Sequence, residues 1–424
     1  MLPNRRFKAE TQAVFYLLSL VVAVGANAQV VLTLNEAESL ALDTEPGREA
    51  ILARADSLAE RSVIAGQLPD PQFRIGAVNF PIESGGFTTE GMTQAQLGVR
   101  QAFPAGKTRS LGSERYLELE RQMQRIASAR EREVLMRVRQ TWITVYYWQQ
   151  AHTIVTDSRR YFEDLVTVTS SLYSLGSRDQ QDLLQAELEL SRLDDRLLGI
   201  NKSLAQARAM LSEWVGTAAS LSVGTSLPIW AQPPSLSTLI EDLSEHPRLL
   251  AAQSLVSAQR TGVELAEQQY KPDWAIDVGY GYRDGALPTG EARSDFLSVM
   301  VTVDVPLFRD KRQDRVVAAA RKERYAASQE LEQLRRQLES ELRGAYGRWE
   351  DLNRQVELYQ RTIVPQADDR AEAALLAYQS ENSDFDDVMR GQIDVLDIRV
   401  QLERLKAERA QSHAVLANLG GISP

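Results

Sequence analysis

The 424-residue chain says nearly everything twice. Glu45-Pro46 opens a helical stretch that stops at Pro71, and His246-Pro247 opens one that stops at Pro272, an interval of 25 residues from proline to proline each time. A strand-like run follows in each half: LPDPQFRIGAVNF (68–80) and YKPDWAIDVGYGY (270–282). A second alternating run comes next, TQAQLGVRQAF (93–103) before Pro104 and FLSVMVTVDV (296–305) before Pro306. Each half then enters a helix of about 70 residues, turns at YSLGSRDQQDLLQAE (173–187) or YQSENSDFDDVMRGQ (378–392), and returns in a shorter helix. Offsets between counterparts stay within 201 to 205, from 247 − 46 = 201 to 378 − 173 = 205. Self-similarity on this scale means two copies of one structural unit. The expected division is a first repeat over 29–216, a Ser-, Gly- and Pro-rich connector without a core of its own over 217–236, and a second repeat over 237–424.

The long helices carry a narrow apolar seam. In the second half Leu331, Leu334, Leu338, Leu342, Ala345, Trp349, Leu352, Val356, Tyr359 and Ile363 are spaced by three or four; the first half has Val134, Val138, Trp142, Val145 and Trp148. That spacing is of the coiled-coil type. Seventy helical residues make a rod on the order of 100 Å, too long for a compact globule. Gly344 and Gly347 weaken the second rod locally, and Pro365 is the expected kink.

The strand-like runs, expected over 71–80, 93–103, 273–283 and 296–305, alternate in polarity. Trp274, Ile276, Val278, Tyr280 and Tyr282 point one way; Ala275, Asp277, Gly279 and Gly281 point the other. Leu297, Val299, Val301, Val303 and Val305 oppose Ser298, Met300, Thr302 and Asp304. Phe73, Ile75 and Ala77 form the greasier face of the first run, and Ala95, Leu97, Val99 and Phe103 that of the second. The length suits a tilted strand crossing a bilayer. Lipid tolerates no open sheet edge, and four strands are too few to close a barrel. A barrel must therefore be shared between chains, while the charged helices project away from the membrane.

The N-terminus fits an exported protein. Arg5, Arg6 and Lys8 precede the apolar run Ala13 to Ala26 and the small-residue step Ala26-Asn27-Ala28, so residues 1–28 read as a signal peptide cut before Gln29. The cut removes three basic groups and one acidic group, taking the net charge from −10 to −12, a poor balance for binding nucleic acid. The absence of cysteine excludes disulfides and a cysteine-borne lipid anchor. The expected fold is mainly α with a small β part.

This order of elements, written twice, resembles the TolC family of outer-membrane efflux proteins over essentially the whole mature chain. TIVPQADDRAEAALLAYQSE (362–381) is similar to that family's approach to its second hairpin, and QAFPAGKTR (101–109) to its first barrel-to-helix joint. LPDPQ, VNFP and MTQAQLGVRQAFPAGK are similar to the branch that works with heavy-metal pumps. The resemblance implies a homotrimer with a twelve-stranded barrel in outer-membrane lipid and a helical tunnel in the periplasm. It further implies docking to a periplasmic adaptor (membrane fusion) protein and an inner-membrane RND-type pump. Pro71, Pro104, Pro272 and Pro306 fall at the barrel–helix joints. Leu175, Gly176, Ser177 and Arg178 at the first turn, with Asn382 and Ser383 at the second, are the expected adaptor contacts. Where the family pattern has glycine at the second turn, this chain has Glu381.

Glu381, Asp384, Asp386 and Asp387 form an acidic cluster that the resemblance places at the periplasmic entrance, with Arg390 close enough to pair with one of them. Repeated around an oligomer, such carboxylates attract cations. Catalysis finds no support: His152, His246 and His413 lack ligand-like spacing, His246 reads as a helix cap or surface residue, and no phosphate loop, nucleophile elbow or cysteine metal site is present. Neither a cofactor nor a resident metal is expected. A periplasmic adaptor has one hairpin with lipoyl-like domains, and a structural coiled coil leaves four bilayer-length strands unexplained. Metal cations are the expected cargo, with organic toxicants, drugs or type I secreted proteins as alternatives.

Overall fold

A computed structural model of the chain describes residues 31–175, 179–380 and 383–422. The segment 1–28, the turn residues Gly176, Ser177, Arg178, Glu381 and Asn382, and the C-terminal pair lie outside them. The first repeat runs β1 (Val31–Leu32), α1 (Leu34–Asp43), α2 (Pro46–Gly66), β2 (Gln72–Val78), β3 (Gln94–Phe103), α3 (Thr108–Ser174) and α4 (Gln180–Val215). A 3₁₀ turn (Gly216–Ser220) and β4 (Ser222–Val223) follow. The second repeat runs α5 (Leu236–Asp242), α6 (Pro247–Gln268), β5 (Asp273–Tyr282), β6 (Phe296–Asp304), α7 (Gln313–Leu358), α8 (Val364–Gln379) and α9 (Phe385–Gly420).

The helical rods match the expected length. α3 has 67 residues, and α7, a π-helical turn at Tyr359–Ile363 and α8 together give 46 + 5 + 16 = 67. The helix passes through Gly344 and Gly347 without a break. The irregularity sits just before Pro365, whose missing amide and ring leave carbonyls of the preceding turn that a wider turn accommodates. α3 packs along α2, α4, α6 and α9, and α7 packs along α6 and α9.

The seams are where periodicity put them. Val134, Val138, Trp142 and Val145 are buried against Leu211 of α4 and Leu32 and Ala37 near the start of the repeat. Leu338 and Leu342 are fully buried with Trp349, Leu416 and Leu239. A buried leucine of this kind contributes about 2 kcal/mol from area alone. Trp148, Leu331, Leu334, Ala345 and Tyr359 are half-buried partners of these cores.

The connector departs from a bare linker. β4 pairs in parallel with β1, Val223 and Ala219 are buried in the first repeat's core, and Trp230 stacks on His413 at 4.7 Å. With no core of its own, it borrows one from the helices it crosses. No described helix is long and apolar enough to span a membrane.

Candidate functional site

The four longer strands form one antiparallel sheet in the order β2-β3-β5-β6. Register decides what each face carries. Val99 lies opposite both Phe73 and Val278, and Val278 opposite Val299, so the apolar residues of all four strands share one face. That face has no cover: Ile75 is 86% exposed, and Leu297 and Val299 are 73% and 66% exposed. A soluble sheet would bury it. Phe103 stacks on Trp274 at 4.2 Å at the end nearest the helices, and Tyr280 and Tyr282 occupy the other end. These ring levels stand roughly 27 Å apart along the strand, about 20 Å in height at a barrel's tilt, most of the ~25 Å apolar band of such barrels.

The opposite face is polar. Arg74 of β2 reaches Asp277 of β5 at 3.0 Å across β3, and Arg100 of β3 approaches the same carboxylate at 3.9 Å. Gly279 and Gly281 lie beneath Gln96 and Gln94; a Cβ on Gly281 would come within 1.8 Å of the Gln94 amide oxygen. Small residues here let long polar side chains lie flat on the sheet. This charged trio escapes the sequence reading, because alternation assigns faces but not which strands adjoin.

The four prolines flank the strands. Pro71 and Pro272 each immediately precede a strand, Pro104 immediately follows β3, and Pro306 comes two residues after β6. The joint within the chain is closely tied. The Ala105 amide donates to Asp273 at 2.6 Å, and the Lys107 amide to Gln268 at 3.1 Å. Gly106 adopts φ +51° there, and a Cβ on it would lie 2.5 Å from Gln268 Oε1. Past Pro306, Leu307 and Phe308 are left exposed. The strands end slightly inside their expected limits; Asn79, at φ +55°, turns the chain out of β2.

At the far end of the rods, α9 begins with Asp384 as its N-cap residue. Phe385, Val388 and Met389 are buried, which leaves Asp384 and Asp387 exposed on the outer side of the first turn. Carboxylates there are also favoured by the helix dipole. Asp386 accepts from Gln185 of α4 at 2.7 Å and is the residue that Arg390 pairs with. Ser383 donates to Asp387 at 3.2 Å. The described part of the acidic cluster thus divides into a tethered Asp386–Arg390 pair, an exposed Asp387 that accepts from Ser383, and an exposed Asp384. Leu175, at the first turn, is exposed.

His246 is a cap, as expected, but not a surface residue: its Nδ1 accepts from the Arg248 amide at 3.2 Å and it is buried. Burial, reinforced by Arg132 and Arg248, pushes its pKa down to about 4. Its counterpart Glu45 caps α2, is equally buried and accepts from Arg130 at 3.0 Å. Burial pushes the Glu45 pKa up, but hydrogen bonds from Arg130 and the Arg48 amide outweigh it and leave it below the ordinary value. Among the described residues no cluster of three or more His, Cys, Asp or Glu is placed to hold a metal ion.

Residues 239–421 match the sequence model of the outer membrane efflux protein family. The match to this efflux family spans the second repeat, from α5 to the end of α9. Among curated proteins no sequence match is found. Solved structures extend the likeness to both repeats. The outer membrane protein VceC from Vibrio cholerae superposes with a TM-score of 0.76 at 17% identity, over 91% of this chain and 96% of VceC. CusC, studied for folding and transmembrane channel formation, gives 0.77 at 16% identity, over 98% and 99%. The open-state MtrE outer membrane channel of Neisseria gonorrhoeae gives 0.72 at 13%, over 92% and 88%. At these identities the likeness is one of fold, the fold shared by these outer-membrane proteins and channels.

Proposed function

We propose that this chain is the outer-membrane exit duct of a tripartite efflux system, conducting passively while an inner-membrane pump supplies the energy. One observation carries the reading: a four-stranded sheet with an uncovered apolar face, a polar face and two open edges, joined to helical rods of about 100 Å. Lipid covers the apolar face, the polar face lines the channel, and further copies close the edges. Three copies of four strands give the twelve-stranded barrel that the resemblance implies. The rods then form a periplasmic tunnel, and the hairpin ends, with Leu175 exposed, meet a periplasmic adaptor.

Metal cations are the proposed cargo. Asp384 and Asp387 are open carboxylates at the rod ends, and repetition around the oligomer makes them a ring that attracts cations and raises the barrier to anions. The test is single-channel conductance of the detergent-extracted protein in planar bilayers, wild type beside Asp387→Ala. Small cation-selective currents that lose selectivity in the variant are expected. A cation-selective channel indifferent to the substitution would remove Asp387 from the entrance. A protein that never inserts and stays soluble without detergent would sink the duct itself.

A further inference from the structure

The chain contains a template for its own subunit seam. Within one copy the end of the first repeat's hairpin meets the start of the second: β3 pairs with β5, Phe103 opposite Trp274, and α3 packs on α6. The counterpart contact, from the end of the second repeat to the start of the first, is not made inside one chain. β6 and β2 are the two edges of the sheet, and α7 makes no comparable contact with α2. What that contact would cover is exposed and apolar: Val63 and Ile64 on α2, Leu307 and Phe308 beyond β6, and Tyr325 on α7. Strand directions permit the closure, since the order β2-β3-β5-β6 is antiparallel throughout and leaves β6 running opposite to β2.

Register follows from the repeat. Pro104 maps to Pro306, 306 − 104 = 202 residues later, and Pro272 maps to Pro71, 272 − 71 = 201 residues earlier. Phe103 opposite Trp274 therefore becomes Val305 opposite Phe73, which sets Val303 opposite Ile75 and Asp304 opposite Arg74. The apolar residues stay on one face, so any alternative must slide by two. The hairpins themselves differ by such a slide: Gln72 faces Arg100, but its counterpart Asp273 faces Asp304, two past Thr302. Charge then selects. Asp304 stands directly opposite Asp273 and has no ion-pair partner among the described residues. Like charges facing each other across a ladder destabilise it, and a cation arriving over the open edge compensates.

We propose, building on the duct reading, that β6 of one copy pairs with β2 of the next in the register that places Asp304 against Arg74 of its neighbour. Arg74 then leaves Asp277 of its own chain to Arg100, which already lies 3.9 Å away, and bridges the seam on the channel-lining face. In each copy two arginines serve Asp277 and the neighbour's Asp304, so neither of these two carboxylates stands alone.

The chain has no cysteine, so engineered pairs report without background. The first experiment is oxidation of the intact membrane protein carrying Asp304→Cys with Arg74→Cys, or Val303→Cys with Ile75→Cys. Because these pairs are one residue apart, one of them is a non-hydrogen-bonded pair, whose Cβ atoms approach closely enough for a disulfide. Covalent oligomers that reductant collapses are expected. Preferential cross-linking of Asp304→Cys with Gln72→Cys or Gly76→Cys would overturn the register and leave the duct intact. An oligomer cross-linked by none of these pairs would overturn the seam. A monomeric extract would remove the duct reading and the seam with it. Charge exchange gives an independent arm: Arg74→Asp and Asp304→Arg should each lower the temperature at which the oligomer dissociates in SDS, and the double variant should recover at least half the loss. Additive losses would refute the ion pair.

Discussion

At the scale of single residues, the buried caps Glu45 and His246 occupy the same place in the two repeats with opposite chemistry. The folded state holds His246 neutral with a pKa of about 4, against an ordinary value of 6.5 in an unfolded chain. Because the folded value is depressed, the stability is fully present above pH 6.5 and is lost as pH falls from there toward 4. Two and a half pH units correspond to about 3 kcal/mol. Asn at position 246 retains a capping side chain and cannot titrate. Thermal melts of His246→Asn should therefore fall less steeply than wild type between pH 6.5 and 4. Some slope should remain, since burial also lowers the pKa of His413. Equal slopes would mean that His246 is protonated in the folded state. The capping role was legible from His-Pro at a helix start; the burial was not, because it is created by α3 and α9 arriving from elsewhere in the chain.

At the scale of elements, periodicity located the seams, and the structure buried them. Leu342 has no exposed surface, so Leu342→Ala should cost about 2–5 kcal/mol, seen as a lower melting temperature of the helical signal in detergent. A loss under 1 kcal/mol would mean that the rods hold together by other contacts. Pro365 was readable as a disturbance, but its form, a π-helical turn over Tyr359–Ile363 rather than a break, was not. Strand faces were readable too. Partners were not: Asp277 meets Arg74 and Arg100 only because β5 lies beside β3, a neighbour 170 residues away in sequence. The acidic turn shows the same limit. The carboxylates of the cluster looked alike in sequence, yet helix phase tethers Asp386 to Gln185 and Arg390 and leaves Asp384 and Asp387 exposed to solvent.

At the scale of the whole molecule, one chain is an unfinished object: its sheet has an uncovered apolar face and two open edges. The two faces should respond oppositely to charge. Val299→Arg puts an arginine into the lipid-facing band at about 2–4 kcal/mol per copy, and no assembled oligomer should be recovered from outer membranes. Ser298→Arg, one residue away on the channel face, should assemble. Equal recovery of the two variants would contradict the facing. Much of this architecture was in the sequence, since repeat, helix period and strand alternation are local patterns that need no knowledge of neighbours. That four strands cannot close also followed from counting. Strand order, register, the split of the acidic turn and the burial of the caps came only with the tertiary structure. Each depends on which distant segments adjoin, and that is settled by packing long rods against one another rather than by any stretch of residues alone.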